Sequence, residues 1–110
     1  MRKEEWLTKN SQFALVYSNG KSQANRLLAL KVLPNGLDVT RFGFSVSKRL
    51  GNAVARNKVK RRLRQLVQLT PTMKGWDLVF VARQPASTAS YQQLSEALAA
   101  LLKKGRLLEG

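Results

Sequence analysis

RFGFSVSKRLGNAVARNKVKRRLRQLVQ, Arg41 to Gln68, changes its apolar period part-way along. From Arg41 to Arg49 the residues alternate, the pattern of a half-buried strand. Phe42, Phe44 and Val46 face one side and suit a core, while Gly43, Ser45 and Ser47 face the other. A face of such small residues is either turned to solvent or leaves room for a partner to come close. After Gly51-Asn52 the period becomes helical, and the helix runs to about Leu69, stopping before Pro71. Ala55, Val59, Leu63, Leu66 and Val67 fall on one stripe, which is expected to pack on the sheet. A strand that feeds an amphipathic helix in this way sets an α/β class.

The rest of that helix is basic. Gly51 to Gln68 holds six basic residues and no acidic one. Asn57, Lys60, Arg61 and Arg64 occupy the face beside the apolar stripe, with Arg56 at its border; Lys58 and Arg62 lie on the opposite flank. A solvated helix ordinarily mixes Glu with Lys, because opposite charges at i,i+4 stabilise it and like charges repel. This helix has only the repelling kind, so it reads as an electrostatic footprint for phosphates.

The whole chain extends the point. Its 110 residues contain 20 Lys+Arg against 6 Asp+Glu, a formal charge of +14. No carboxylate stands between Val39 and Trp76, where Arg41, Lys48, Arg49 and Lys74 add to the helix charges. Self-repulsion on that scale destabilises a compact fold unless a polyanion screens it. Nucleic acid is the expected polyanion. The length fits one domain over residues 1–110, and 44% hydrophobic content suits a folded globule. No apolar run nears the roughly 18–20 residues needed to span a bilayer. The start, MRKEEWLTKN, has no apolar core after its charges and does not read as a secretory signal. A cytoplasmic protein without membrane contact is expected. With no cysteine there are no disulfides or thiolate metal sites. There is no histidine, and Glu4, Glu5, Asp38, Asp77, Glu96 and Glu109 are scattered. Protein side chains that hydrolyse phosphodiesters use a carboxylate metal cage or a histidine pair. No catalytic side chain and no tightly bound metal are therefore expected.

The first ten residues, and residues 1–5 above all, read as a loose arm. SQFALVYSNG is a short helix with Asn10 or Ser11 as N-cap and Gly20 as its stop. Phe13, Val16 and Tyr17 share one face of it, and both aromatics suit a core. RLLALKVL, Arg26 to Leu33, is a strand closed by Pro34-Asn35-Gly36, with Lys31 on the side of Leu27, Ala29 and Leu33. Met73 to Trp76 makes a turn. DLVFVAR, Asp77 to Arg83, is a near-continuous apolar run and suits a central strand covered on both faces. Ser90-x-x-Gln93 is a capping box. It opens the helix YQQLSEALAALLKK, whose buried stripe is Leu94, Ala97, Leu98, Leu101 and Leu102, with Gly105 at C′. The order read from the pattern is helix, strand, strand, helix, strand, helix.

F-S-V-S-K-R-x-G-N-A-V-x-R-N-x-x-K-R-x-x-R, Phe44 to Arg64, resembles the signature of the bacterial ribonuclease P protein subunit. The likeness extends from about Trp6 to Leu107. It takes in Phe13 and Tyr17 before Gly20-Lys21-Ser22, the strand RLLALKVL, and DLVFVAR-x-PA followed by SYQQL. The resemblance implies an α/β (α+β) two-layer sandwich, a small mixed sheet of about four strands with three helices. Its strand-helix-strand crossover would be left-handed, against the usual rule. It implies a protein that assists a catalytic RNA in removing the 5′ leader from precursor tRNA, with Mg²⁺ held mainly by RNA. The family's basic motif falls on Arg56, Asn57, Lys60, Arg61 and Arg64, with Lys48 and Arg49 beside it, and implies contact with ribonuclease P RNA. A leader-binding cleft is implied at Phe13, Tyr17, Lys31, Ser45 and Ser47, where aromatic faces can stack on unpaired bases. The protein is expected as a monomer within the ribonucleoprotein. Two positions depart from the family: Lys31 stands where an aromatic residue is frequent, and Gln84 where a basic one is. The competing reading is a structural or ribosomal RNA-binding protein without a substrate cleft. A DNA-binding helix-turn-helix fits poorly, because the basic helix is followed by a strand and has no partner helix ahead of it at a tight turn.

Overall fold

The computed structural model describes residues 5–109. Its elements run α1 (Asn10–Asn19), β1 (Lys21–Ala24), β2 (Leu28–Pro34), β3 (Arg41–Ser45), α2 (Ala53–Leu69), β4 (Trp76–Ala82) and α3 (Tyr91–Lys104). Short 3-10 turns at Lys48–Leu50 and Gln84–Thr88 lead out of β3 and β4. The four strands form one mixed sheet in the order β1-β2-β4-β3. β1–β2 and β2–β4 are antiparallel, while β3 and β4 are parallel and joined by α2.

Strand β1 is the element that the pattern did not reveal. KSQA is short and mostly polar, and its single apolar residue, the small Ala24, gives the alternation nothing to mark. It forms because Asn25 closes a hairpin: its side-chain oxygen accepts from the amides of Leu27 (3.2 Å) and Leu28 (3.0 Å). The turn takes up Asn25 to Leu27, so β2 begins two residues later than the apolar run suggested. Gly20 makes the preceding corner possible. A Cβ there would lie 2.5 Å from the Val16 carbonyl oxygen and 2.8 Å from that of Val32.

Alternation sorts the sheet into two faces. Leu28, Leu30, Phe42, Leu78 and Phe80 turn toward α2 and α3, and meet Val59, Leu63, Leu66, Leu94, Leu98 and Leu102 in the main core. Strand β4 is central, as its apolar run suggested, and its Val79 faces the other way. There Leu7 and Val16 cover it, with Phe13, Leu33 and Val81 packed around. The two-layer expectation thus holds for the sheet with α2 and α3, but α1 adds a partial third layer. The reason is Val79 itself: a fully buried side chain on the second face needs a cover.

Local signals worked at most helix ends. Asn52 caps α2 by accepting from Ala55 N at 3.0 Å. Ser90 and Gln93 exchange bonds of 3.1 and 2.9 Å at the start of α3. Two ends differ from the reading. Helix α1 is capped at Lys9, because Gln12 Oε1 accepts from the amides of Thr8 and Lys9. At the end of α3 the left-handed residue is Arg106 (φ 58), while Gly105 keeps a helical φ of −80. Leu107 N reaches Leu102 O and Arg106 N reaches Lys103 O, the paired bonds of a Schellman cap with Arg106 at C′. The arm is also shorter than expected. Residues 1–4 lie outside the described residues, but Trp6 bridges Phe42 alongside β3, and Leu7 N donates to Phe42 O at 2.8 Å. That edge of β3 is thereby covered.

Candidate nucleic-acid interface

Helix α2 presents its basic residues from a firm seat. Val59, Leu63, Leu66 and Val67 are buried beneath it, which fixes its rotation. Asn57, Arg61 and Arg64 are exposed, and Arg56 and Lys60 are half-buried. Lys48 and Arg49 stand exposed on the 3-10 turn just ahead, where Gly51 (φ 138) redirects the chain into the helix. Like charges are therefore gathered at one end and one side of α2. Arg56 carries a buried Nε without a hydrogen-bond partner among the described residues. The opposite flank is employed differently. Arg62 donates to Ala89 O at 3.2 Å and ties α2 to the segment before α3.

Not every arginine in the carboxylate-free stretch is available to a polyanion. Arg41 forms a bidentate pair with the buried Asp77, Nε to Oδ1 at 2.7 Å and Nη2 to Oδ2 at 2.6 Å. Asn35 Nδ2 adds a bond of 2.9 Å to Oδ1. The hydrogen bonds that Arg41 donates to Asp77 raise its pKa above the ordinary value, so this guanidinium stays charged. Sequence separation hid the pair: Asp77 opens an apolar run 36 residues from Arg41, and only the parallel register Arg41↔Asp77 brings them opposite.

The register also assembles the second surface. On the α1 side, one row across the sheet reads Lys31, Val79, Gly43, and the next reads Ala29, Val81, Ser45. Helix α1 crosses the first row. Phe13 lies against Gly43, where an added Cβ would sit 2.6 Å from Phe13 Cε1. Tyr17 reaches the other end of that row, with Lys31 Nζ 5.7 Å from its ring centroid, a cation–π contact. The second row is left half-covered, with the small Ala29 and Ser45 on either side of Val81 and Ser47 exposed at its continuation. The two aromatics of α1 thus part ways: Phe13 is half-buried, and Tyr17, at 43% exposure, is a wall and not core.

The basic face and Phe13 are not separate. A groove of ≈ 340 Å³ is lined by Trp6, Phe13, Gly43 and Phe44 together with Lys60 and Arg64 of α2. Trp6 was not singled out from sequence, because nothing local marks a lone aromatic in a charged arm. It packs on Phe42 and Phe44 with ring centroids 6.4 and 5.9 Å away. Lys60 and Arg64 therefore close a groove whose walls are aromatic, a combination suited to an unpaired nucleic-acid strand. No group of three or more His, Cys, Asp or Glu side chains that could hold a metal ion occurs among the described residues. The buried carboxylate, Asp77, has both oxygens engaged.

An α+β domain with one basic helix and an aromatic groove beside it suits contact with RNA. The ribonuclease P family model matches residues 1–106. The ribonuclease P protein component of Caldanaerobacter subterraneus subsp. tengcongensis is 46% identical over 105 residues, covering 94% of this chain and 90% of that one. A Staphylococcus aureus RNase P protein mutant with defective mRNA degradation activity superposes with a TM-score of 0.91 at 35% identity, covering 96% and 92% of the two chains. The Thermotoga maritima RNase P protein gives a TM-score of 0.81 at 32% identity, covering 96% and 99%. The chain belongs to the bacterial ribonuclease P protein family. It is a component of a tRNA-processing endoribonuclease and binds RNA, with ribonuclease P RNA as its partner. No helix among the described residues is long and apolar enough to cross a membrane.

Proposed function

We propose that this protein assists the catalytic RNA in removing the 5′ leader from precursor tRNA by holding both molecules. Arg56, Asn57, Lys60, Arg61 and Arg64, with Lys48 and Arg49, bind ribonuclease P RNA. Phe13, Tyr17, Lys31, Ser45 and Ser47 hold the single-stranded leader. The observation that carries this reading is the continuity of the two surfaces: the groove that contains Phe13 and Gly43 is closed by Lys60 and Arg64. A leader lying over the Ala29-Val81-Ser45 row would run directly toward the helix that touches the RNA.

The chemistry of the side chains divides the labour. Arginine forks donate in pairs to phosphate, and Lys60 contributes a point charge. Asn57 supplies both a donor and an acceptor. None of these carries an anionic oxygen, so Mg²⁺ at the cleavage site would be held by RNA oxygens, and catalysis belongs to the RNA. The small Ala29 and Ser45 let a sugar-phosphate backbone come close, and Tyr17 offers an exposed ring for stacking. Lys31, placed where the family often has an aromatic residue, meets a leader phosphate in its place. A left-handed β3-α2-β4 crossover belongs to this reading through the family resemblance, as do a monomeric protein within the particle and a cytoplasmic setting.

Cleavage of end-labelled precursor tRNA by a bacterial ribonuclease P RNA at low Mg²⁺, with and without the protein, tests the assignment. Protein-dependent cleavage at the mature 5′ end is the expected outcome. RNA binding without any gain in cleavage, using the RNA from the same source, would leave only a structural RNA-binding role.

A further inference from the structure

A second cavity, of ≈ 390 Å³, lies away from the surfaces described above, between β1, β2 and the end of α3. The sheet order sets β1 and β3 at opposite edges, so this cavity is across the molecule from the edge that α2 and Trp6 occupy. Its floor is apolar, made by Leu30, Val32, Leu101 and Leu107. Trp76 is half-buried in its wall and can offer part of its ring. Lys21, Lys104 and Arg106 are exposed at the rim, and no carboxylate lines it.

Two features are hard to explain by folding alone. Arg106 holds the left-handed C′ position, where glycine or asparagine is favoured, although a glycine stands one residue earlier. Arg106 in this conformation lines the cavity. In the same wall Gln23 has a buried Oε1 without a hydrogen-bond partner among the described residues. That acceptor is satisfied if the Gln23 side chain turns toward a ligand in the cavity that brings N–H groups. The negative end of α3 does not oppose an anion here. Gly105, Leu107 and Arg106 amides already bond the carbonyls of Leu101, Leu102 and Lys103, and Lys103 and Lys104 stand in the last turn.

A planar base with apolar faces, N–H groups on its edge and an attached phosphate satisfies all three demands. We propose that this cavity is a second RNA contact and takes one unpaired nucleotide. The base lies against Trp76 and the apolar floor, with its amino edge toward Gln23 and its phosphate between Lys104 and Arg106. The inference is independent of the groove at α2. The occupant is RNA because the cationic rim complements a polyanion, and the chain's established partner is one.

The test titrates ¹⁵N-labelled protein with adenosine 5′-monophosphate, and with ribose 5-phosphate as a probe lacking the base. The Trp76 indole N–H and the amides of Lys104, Arg106 and Leu107 are expected to shift with the nucleotide and much less with the sugar phosphate. The double variant Lys104→Gln/Arg106→Gly should weaken that response about tenfold, the scale of a lost charge-assisted phosphate contact. Glycine suits φ 58, so the cap survives in the variant. Arg61→Ala/Arg64→Ala should leave the response intact. A second arm uses Trp6→Phe, which leaves Trp76 as the sole tryptophan. Bound ribonuclease P RNA should then shield its fluorescence from acrylamide, and the double variant should lose that shielding. Equal shifts with both probes, or shifts confined to α2, would overturn the proposal. Nucleotide binding without shielding by RNA would make this a free-nucleotide site and overturn the RNA assignment.

Discussion

A methyl group on Gly43 would meet Phe13 at 2.6–2.7 Å and Leu7 at 3.1 Å, so the smallest residue of β3 is a seat for α1. Gly43→Ala is expected to tilt Phe13 out of its place and to cost about 1–3 kcal/mol, the range for overpacking a filled site. Urea denaturation measures the loss, and the wild-type midpoint in Gly43→Ala would show that the seat is soft. Phe13 therefore has two duties, and truncating it mixes packing with binding. Tyr17 separates them. It is exposed, and its ring meets the Lys31 ammonium. Tyr17→Ala should keep the unfolding midpoint while reducing the preference for precursor over mature tRNA by about 1–3 kcal/mol, one lost base stack. Competition binding of the two tRNAs checks it, and an unchanged preference would remove Tyr17 from the leader site.

At the scale of the element, α2 carries two kinds of arginine that sequence cannot tell apart. Arg61 and Arg64 are exposed on the basic face, whereas Arg62 is bonded to Ala89 O. Arg61→Ala and Arg64→Ala should each lower RNA affinity and flatten its log–log salt dependence by about one unit. Arg62→Ala should leave that slope nearly unchanged and lower thermal stability, since it releases a tie between α2 and α3. A slope change at Arg62 equal to that at Arg61 would place the flank on the RNA as well. The helix itself was legible: its apolar stripe, its Asn52 cap and its stop before Pro71 are all local signals. Which of its cations bind RNA was not, because a neighbouring carbonyl can claim one of them.

Across the whole molecule, a charge of +14 has one buried counterpoint among the described residues, Asp77, 4% exposed. It locks β3, β4 and the Asn35 turn together through Arg41 and Asn35. Asp77→Asn removes a partner from a largely desolvated pair and should cost about 3–5 kcal/mol, read from chemical denaturation. The part that rests on the Arg41 charge, whose pKa is raised, persists through neutral pH and is lost in strong alkali as Arg41 deprotonates. The remaining charge repels itself, so added salt or a polyanion should raise the melting temperature of the free protein.

Sequence alone determined the parts. Period-2 and period-3.6 patterns located β3, β4, α2 and α3, because each element buries one side of itself whatever its neighbours are, although β3 ends at Ser45 and not at Arg49, where the alternation ran on into a 3-10 turn. The basic helix and the family signature were equally local, a continuous block from Phe44 to Arg64. Strand β1 escaped because a polar edge strand is held by backbone bonds to β2 and by the Asn25 turn, and neither leaves an apolar trace. Trp6 escaped because its place depends on pairing with Phe42 across 36 residues. The third layer, the Arg41–Asp77 lock and the meeting of Phe13 with Lys60 and Arg64 have the same origin. They are consequences of strand register and of which edge each helix covers, and those are settled only when distant segments compete for the two faces of one sheet.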